Sequence, residues 1–183
     1  FLERNDMSQI VITPDYVEQH RDTMEKMVTL FTLYPDYLVD AITPGDSFFK
    51  LYFYQRLFLR VCMRFREVSG TFPRAYSKSF LDFLAMNIRG IVQPRSKGFT
   101  CADTKKQAAQ IVEEKTNEIY RMFPFLVNEL KISDIDKMKK KYGNMGSDYA
   151  ELKFRNDSQI DIVKMTKNLP SLFSLSINSS NSF

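Results

Sequence analysis

The segment from Lys78 to about Ile91 constrains the fold most, because its apolar residues lie nearly all round a helix. They are Phe80, Leu81, Phe83, Leu84, Ala85, Met86 and Ile88. A helix of this kind is buried on most of its sides, as a helix that covers a β-sheet would be. The chain has 183 residues, 44% of them apolar, which is enough for one sizeable core. We therefore expect one globular domain.

Regular elements are predicted on both sides of this helix. Residues 67–72 and 98–102 read as short strands. Thr104 and Gln107 match a capping box that opens the next helix. Two alternating runs around an Asn-Asp-Ser turn predict a hairpin at 150–165. The central strand–helix–strand unit implies a right-handed parallel crossover and an α/β sheet.

The flanks are predicted to be helical on the N-terminal side and irregular on the C-terminal side. Apolar spacing predicts a helix at 14–34 and another at 47–66. The Lys-rich run 131–146 is expected to be a solvated loop. The Ser/Asn-rich tail from Thr166 is expected to be loosely held.

The charges permit an acidic partner and argue against a membrane span. The formal charge of +4 is compatible with a nucleotide or nucleic acid but does not require one. The longest apolar stretch, 47–65, is interrupted by Lys50 and three arginines, and a mid-bilayer arginine costs about 2.5–3.5 kcal/mol. Because Arg56, Arg60 and Arg64 recur every four residues, we expect them to form a basic stripe on one helical face.

Cysteine and histidine content argues against a metal or acid/base site built on histidine. Cys62 and Cys101 lie in apolar surroundings and are expected to be core thiols in a reducing cytosol. The single histidine, His20, follows an acidic stretch in a predicted surface helix. No signal peptide is visible.

The stretch FPRAYSKSF, residues 72–80, has features of a phosphate-binding loop. Such a loop needs inward-facing backbone N–H groups, a lysine, a hydroxyl for Mg²⁺ and a following helix, usually spelled G-x-x-x-x-G-K-[ST]. Lys78 and Ser79 match the end of the pattern, whereas Phe72 and Ser77 replace both glycines. A left-handed Ser77 would cost about 1 kcal/mol relative to glycine. The alternative is that Ser77 is an N-cap and Lys78 a solvated residue of the first turn.

The order and spacing of the motifs give the chain a resemblance to a known family. It resembles the N-terminal ATPase region of the large terminase subunits of tailed bacteriophages, the motors that drive DNA into capsids. In that family the loop often carries an arginine four residues before the lysine, where this chain has Arg74. An adenine-contacting segment lies upstream; residues 51–58 resemble it, with Gln55 as the counterpart.

Two downstream segments extend the resemblance to roughly residues 37–165. Residues 98–126 look like the family's second strand and its Gln-Ala helix, which ends at a proline after an aromatic residue. Residues 151–163 look like its F-x-N-G-S-x-I hairpin, with Asp157 where glycine is typical.

The resemblance implies an α/β fold of the P-loop NTPase type, of the RecA or ASCE kind. Its sheet would be mostly parallel and flanked by helices, with an N-terminal helical segment, and it would be incomplete. The implied domains are an N-terminal helical segment at 1–46, a partial ATPase domain at 47–165 and a tail at 166–183.

The resemblance also implies ATP and Mg²⁺ as cofactors and assigns roles to individual residues. Lys78 would neutralise charge on the β- and γ-phosphates, and Arg74 would stabilise the transition state at the γ-phosphate; these are the implied catalytic residues. Ser79 would bind Mg²⁺, and Gln55 would hydrogen-bond the adenine edge. The phosphates would be cradled by the backbone amides of Ala75, Tyr76, Ser77, Lys78 and Ser79. Two alternatives to these roles stay open: Gln55 could lie on the solvent-facing side of its helix, and Arg74 could form a surface salt bridge.

The resemblance implies that the full-length protein acts in the cytoplasm of a bacterial host. Its implied partners are ATP, double-stranded DNA, a capsid portal and a small terminase subunit, and binding to a membrane is not expected. Hydrolysis would need an apolar strand ending in Asp-Glu, and residues 166–183 contain no acidic residue. We therefore expect this chain alone to bind ATP weakly and not to hydrolyse it. A sheet lacking that strand would keep an unpaired edge, so a homo-oligomer is possible.

Two functions of other classes remain open. One is a non-enzymatic helical interaction protein, in which residues 47–65 dock on a partner and residues 72–80 merely start a helix. The other is a basic nucleic-acid-binding module that uses Arg56, Arg60, Arg64 and the run at 137–141.

Overall fold

The structure, a computed structural model, describes residues 13–65, 68, 77–131, 135–136 and 141–164. Its N-terminal part is helical. The helices there are α1 (Pro14–Gln19), α2 (Arg21–Leu33), α3 (Pro35–Ile42) and α4 (Phe53–Arg64). A mixed helix-and-sheet region follows from residue 77.

The helix predicted at 14–34 is in fact two helices that meet at His20. This residue ends α1 with φ −110° and ψ 13°, and its ring Nδ1 lies 2.9 Å from the carbonyl oxygen of Tyr16. The third helix, α3, was not predicted. It begins at Pro35, whose fixed φ suits a first helical turn and which has no N–H to satisfy there.

The predicted helix at 47–66 is shorter than expected, because α4 begins only at Phe53. Gln55 Oε1 accepts a hydrogen bond from the backbone N–H of Tyr52 at 2.8 Å, which caps the helix at that point. Residues 47–52 are not helical, and their burial alternates, with Phe49 and Leu51 packed inward. Period-two burial is the pattern of an extended chain.

The three elements predicted in the middle of the chain are confirmed. They are α5 (Lys78–Val92), β1 (Lys97–Ala102) and α6 (Lys105–Met122). Thr104 caps α6 as expected, since its Oγ1 accepts a hydrogen bond from the N–H of Gln107 at 3.1 Å. A 3-10 helix, Pro124–Glu129, follows α6.

The main sheet has four strands in the order β1–β6–β5–β4. The strands after α6 are β2 (Ile135–Asp136), β3 (Lys141–Tyr142), β4 (Asn144–Met145), β5 (Ala150–Lys153) and β6 (Gln159–Lys164). Strand β6 runs parallel to β1 and antiparallel to β5, so Ile160 lies opposite Gly98 on one side and Leu152 on the other. The predicted hairpin is therefore confirmed.

The prediction of a mostly parallel sheet is wrong for the described strands. Their sheet is mixed, since β4–β5 and β5–β6 pair antiparallel and β1–β6 alone is parallel. The physical reason is the short turn between β5 and β6, because a tight turn can join antiparallel neighbours but not parallel ones. The predicted strand at 67–72 lies outside the described residues, apart from Val68.

Two other predictions concern the C-terminal half. The run 131–146, expected to be a loop, contributes β2 and β3, which pair antiparallel, and β4 at the sheet edge. The tail from Thr166 lies outside the described residues. The domain limits at residues 46 and 165 stay predictions.

The core is built around α5, as its all-round apolar pattern predicted. Leu81, Leu84 and Ile88 are fully buried, and α5 packs against α4, α6 and the strands β1 and β6. One polar contact joins α5 to α6: the hydroxyl of Tyr120 donates to Asn87 Oδ1 at 2.7 Å. The amide of Asn87 in turn donates to the carbonyl of Phe83 at 2.8 Å, so the buried polar side chain is satisfied.

The turn between β5 and β6 holds the C-terminal end of α5. Asn156 Nδ2 donates to the carbonyls of Gly90 at 2.7 Å and Ile91 at 2.9 Å, and Ser158 Oγ donates to the carbonyl of Gln93 at 2.8 Å. These carbonyls end a helix and have no partner within it. The contact is close, since a Cβ at Gly90 would lie 2.8 Å from the ring of Phe154.

We predict that Asn156→Ala lowers the free energy of unfolding by about 2–3 kcal/mol, because it leaves two terminal carbonyls of α5 without a donor. Chemical denaturation of both proteins measures the difference. Asn117→Ala is the matched control, since Asn117 is exposed on α6 and its replacement should change stability by less than about 0.5 kcal/mol. Equal stability of Asn156→Ala and the unmodified protein would contradict the proposed role of this turn.

Candidate functional site

The candidate site is the N-terminal end of α5, where the sequence predicted a phosphate-binding loop. The helix begins at Lys78, and the residue before it, Ser77, has φ 52° and ψ 28°. This is the left-handed region that glycine normally occupies, and it is the second glycine position of the motif. Arg74, Ala75 and Tyr76 lie outside the described residues.

Ser77 does not act as an ordinary serine N-cap. Such a cap has an extended backbone, and its side chain accepts a hydrogen bond from the first helical turn. Thr104 at the start of α6 fits this description, with φ −129° and ψ 150°. Ser77 fits neither part of it, because its backbone is left-handed and its side chain makes no capping bond. Its side chain therefore leaves the first-turn N–H groups of α5 uncapped, and those groups favour an anion.

Exposure changes sharply along the start of α5. Ser77 and Lys78 are exposed, Ser79 is partly buried, and Phe80 is buried. Asp82 stands four residues after Lys78, on the same helical face. Burial raises the pKa of Asp82 to about 6, and the ammonium of Lys78 opposes that rise. The lysine thus stands at the protein surface, and the carboxyl group of Asp82 lies one helical turn further along α5.

The thiol of Cys62 lies beside this carboxyl group and is not a nucleophile at neutral pH. Burial, with the Asp82 carboxylate next in effect, raises the pKa of Cys62 to about 12. A thiol reacts as its thiolate, so a pKa this high keeps it inert. Cys62 is buried as predicted, whereas Cys101 is only partly buried.

Gln55, the predicted adenine contact, lies in the first turn of α4 and is buried. Its Oε1 is engaged by the backbone N–H of Tyr52, as described above. The solvent-facing position considered from the sequence is therefore wrong. Contact with adenine stays a prediction.

The basic stripe on α4 is paired with α3. Arg60 donates from Nε and Nη2 to both oxygens of Asp36, each at 2.8 Å, and Arg56 donates to Asp40 at 2.6 and 2.9 Å. Asp36 is fully buried. Although burial alone would raise its pKa, hydrogen bonds from Arg60 and Arg56 hold the pKa of Asp36 below its ordinary value.

Aromatic rings complete this joint between α3 and α4. The guanidinium carbon of Arg60 lies 4.9 Å from the ring centroid of Tyr34 and 5.7 Å from that of Tyr37. Arg64 lies 5.7 Å from the centroid of Tyr34. These are cation–π distances. Two of the three stripe arginines, Arg56 and Arg60, are thus paired with carboxylates, which weakens the nucleic-acid-binding alternative. That alternative also used the run at 137–141, of which the structure describes only the backbone of Lys141.

Arg89 is a buried charged residue that was not predicted from the sequence to have a role. It is buried on α5, and its Nη1 donates to the carbonyl of Cys62, in the last turn of α4, at 3.1 Å. A cation there stabilises the helix end. Its Nε has no partner among the described residues. The signal that could have indicated it is the position of this arginine between the apolar residues Ile88 and Ile91 of α5.

Within the described residues, no group of three or more metal-ligating side chains is close enough to hold a metal ion. Among the same residues, no helix combines the length and apolarity needed to cross a bilayer. No protein-family model, curated protein or solved structure matches the chain.

The left-handed backbone of Ser77 predicts an unusual effect of glycine. Ser77→Gly should raise the free energy of unfolding by about 0.5–1 kcal/mol, because glycine removes the strain of a left-handed residue. Ser79→Gly, two positions on and inside the helix, should lower it by about 0.5 kcal/mol. Thermal unfolding of the two variants beside the unmodified protein measures both, and destabilisation by both would show that residue 77 is not left-handed.

The buried carboxylate of Asp36 predicts a pH-dependent stability. Asp36→Asn should lower the free energy of unfolding by about 2–3 kcal/mol at pH 7, since it leaves Arg60 without its carboxylate, whereas Arg56 keeps Asp40. The folded-state pKa is depressed, so this stabilisation is present above about pH 4 and is lost as the pH falls through the folded pKa. Denaturation at pH 7 and pH 2.5 should therefore show the two proteins converging in acid. Asp40→Asn, at an exposed partner, should cost less than about 1 kcal/mol.

Proposed function

We propose that this chain is part of the ATPase region of a terminase large subunit and binds Mg-ATP at the N-terminal end of α5. The observation that carries the proposal is the left-handed backbone of Ser77 directly before Lys78 and Ser79. A non-glycine residue in that conformation costs energy, and such strain is concentrated at ligand sites. An ordinary helix start would not need it, as Thr104 illustrates.

The residues present suit a triphosphate. The first-turn N–H groups of α5 and the positive end of its dipole would face the phosphates, and the exposed Lys78 would neutralise their charge. Ser79, one residue further into the helix, would present its hydroxyl to Mg²⁺. The ion would supply charge neutralisation on the β- and γ-oxygens, and Arg74 would stabilise charge that develops at the γ-phosphate.

The order of elements around the site supports the same proposal. Helix α5 leads to β1, β1 to α6, and α6 to a hairpin whose second strand runs parallel to β1. This is the order that the resemblance to terminases implies for its second strand, its Gln-Ala helix and its hairpin. Double-stranded DNA, a portal and a small subunit are proposed as partners of the full-length protein only.

A second candidate function has one observation in its favour. Several large apolar side chains around the start of α4 are exposed, among them Phe48 and Phe53. Such a surface suits a non-enzymatic interaction protein, the alternative raised from the sequence. Nucleotide binding separates the two candidates, because the interaction protein needs none.

We predict that Lys78→Ala abolishes binding of a non-hydrolysable Mg-ATP analogue that the unmodified chain binds saturably. The reason is that the ammonium of Lys78 would neutralise charge on the β- and γ-phosphates. Lys105→Ala is the matched control: Lys105 is also the first residue of its helix, α6, but follows an ordinary extended N-cap. Titration calorimetry measures all three proteins.

Two results would overturn the proposal. One is an absence of saturable binding by the unmodified chain, which favours the interaction protein. The other is equal binding by Lys78→Ala and Lys105→Ala, which would place any nucleotide elsewhere. Circular dichroism of each variant separates lost binding from lost folding.

A further inference from the structure

A narrow cleft lies between the C-terminal half of α5 and the first residues of β1 and β6. Its lining includes Met86 and Arg89 of α5, Lys97 and Gly98 of β1, and Ile160 of β6. The cleft is open to solvent on one side, and its cavity volume is about 10 Å³. A space of this size holds about one water molecule, or one oxygen atom of a larger group. A ligand can therefore place a single atom inside and must keep the rest at the mouth.

Residue 98 keeps the cleft open because it has no side chain. A Cβ on Gly98 would lie 3.5 Å from Met86 Sδ and 3.5 Å from Ile160 Cγ1, and both of those side chains line the cleft. That Cβ would therefore stand inside the cleft. Both distances are ordinary van der Waals contacts, and Gly98 lies within strand β1, so the fold should tolerate alanine at this position.

Arg89, which lines the cleft, is a buried cation without a carboxylate partner among the described residues. More than nine-tenths of it is buried, its Nη1 donates to the carbonyl of Cys62, and its Nε makes no hydrogen bond among the same residues. Burial lowers the pKa of Arg89, and the Cys62 thiol alone opposes that change. A buried charge is costly unless an opposite charge pairs with it, and a buried donor of this kind is commonly satisfied by a water or an ion.

The mouth of the cleft is also positively charged. Lys97 lines the cleft and is exposed at the start of β1. None of the described residues that line the cleft is acidic. On β6 the carboxylate of Asp161, which is not a lining residue, already accepts a hydrogen bond from the amide of Gln159 at 2.5 Å. The charges of the cleft therefore favour an anion.

We propose that the cleft binds an oxyanion, the phosphate or carboxylate group of a small molecule. One oxygen enters the cleft and accepts a hydrogen bond from Nε of Arg89, and the rest of the group stays at the mouth beside Lys97. Hydrogen bonds between a guanidinium and an oxyanion are short and strong, and the shape of the guanidinium matches both phosphate and carboxylate.

This oxyanion site is separate from the proposed nucleotide site. Both are on α5, but Arg89 lies about 16 Å further along the helix than Lys78, at about 1.5 Å per residue. The oxyanion site can therefore be tested whether or not the chain binds ATP.

A ¹H–¹⁵N NMR titration with inorganic phosphate, and separately with acetate, tests the site at constant ionic strength. The Nε–H signal of Arg89 and the amide signals of Gly90 and Gly98 should shift saturably. Arg89→Met identifies the side-chain signal and should abolish the saturable shifts of the two amides. Lys78→Ala should leave them unchanged, because it alters only the start of α5.

The two anions distinguish the source of the oxygen. Saturation with phosphate alone assigns a phosphate group, saturation with acetate alone assigns a carboxylate, and saturation with both assigns an oxyanion of either kind. The absence of saturable shifts with either anion would overturn the proposal. Shifts confined to the first turn of α5 would overturn it as well, since the anion would then bind at the nucleotide site.

A variant that keeps every charge tests whether the anion enters the cleft. Gly98→Ala should weaken binding about tenfold, because its Cβ occupies the space of the inserted oxygen and the charged hydrogen bond is lost. Gly45→Ala is the matched control, since a Cβ there would meet nothing within 4 Å. Thermal unfolding establishes that both variants are folded. Equal affinity of Gly98→Ala and the unmodified chain would overturn the proposal, whatever the outcome for Arg89→Met.

Discussion

Burial of α5 is the constraint on which the rest of the structure depends. The helix has apolar residues on nearly every side, so it must be covered by α4 on one side and by α6 and the sheet on others. Each covering contact also carries one polar link: Arg89 to the end of α4, Asn87 to α6, and Asn156 of the hairpin turn to the end of α5. The hydrophobic effect makes the contacts favourable without fixing a direction, and these polar links fix the orientation of the helix.

The two ends of α5 differ in how their backbone groups are hydrogen-bonded. Its last carbonyls are satisfied by Asn156 and Ser158, whereas the residue before its first turn is left-handed and forms no side-chain cap. A helix that is firmly held at its C-terminal end presents its N-terminal N–H groups at a fixed position. Such pre-organisation is what a phosphate site requires, because no free energy is then spent on ordering the donors when the anion arrives.

The sequence predicted correctly those elements that depend on interactions between residues close together in the chain. The periodicity of α5, the cap at Thr104 and the turn of the β5–β6 hairpin each lie within a few residues, and each prediction was confirmed. The contact of Asp36 with Arg60 spans 24 residues, and the choice of β6 as neighbour of β1 spans more, so neither could be derived from spacing. At the candidate site the sequence allowed either a left-handed Ser77 or an ordinary N-cap, and the backbone angles of the structure distinguish the two. The start of α4 was misplaced because Asp46 and Ser47 are residue types that commonly cap a helix, whereas the bond at the helix start is made by Gln55 to the N–H of Tyr52.

Strand β6 is bonded on both sides, parallel to β1 and antiparallel to β5, and the turn that precedes it also holds α5. It cannot leave the sheet without breaking two ladders and releasing the helix end together. We therefore expect β6, β1 and the second half of α5 to open as one cooperative unit, whose amides exchange with solvent deuterium last and at similar rates. Helices α1 and α2, which contain no buried residue, would exchange long before them.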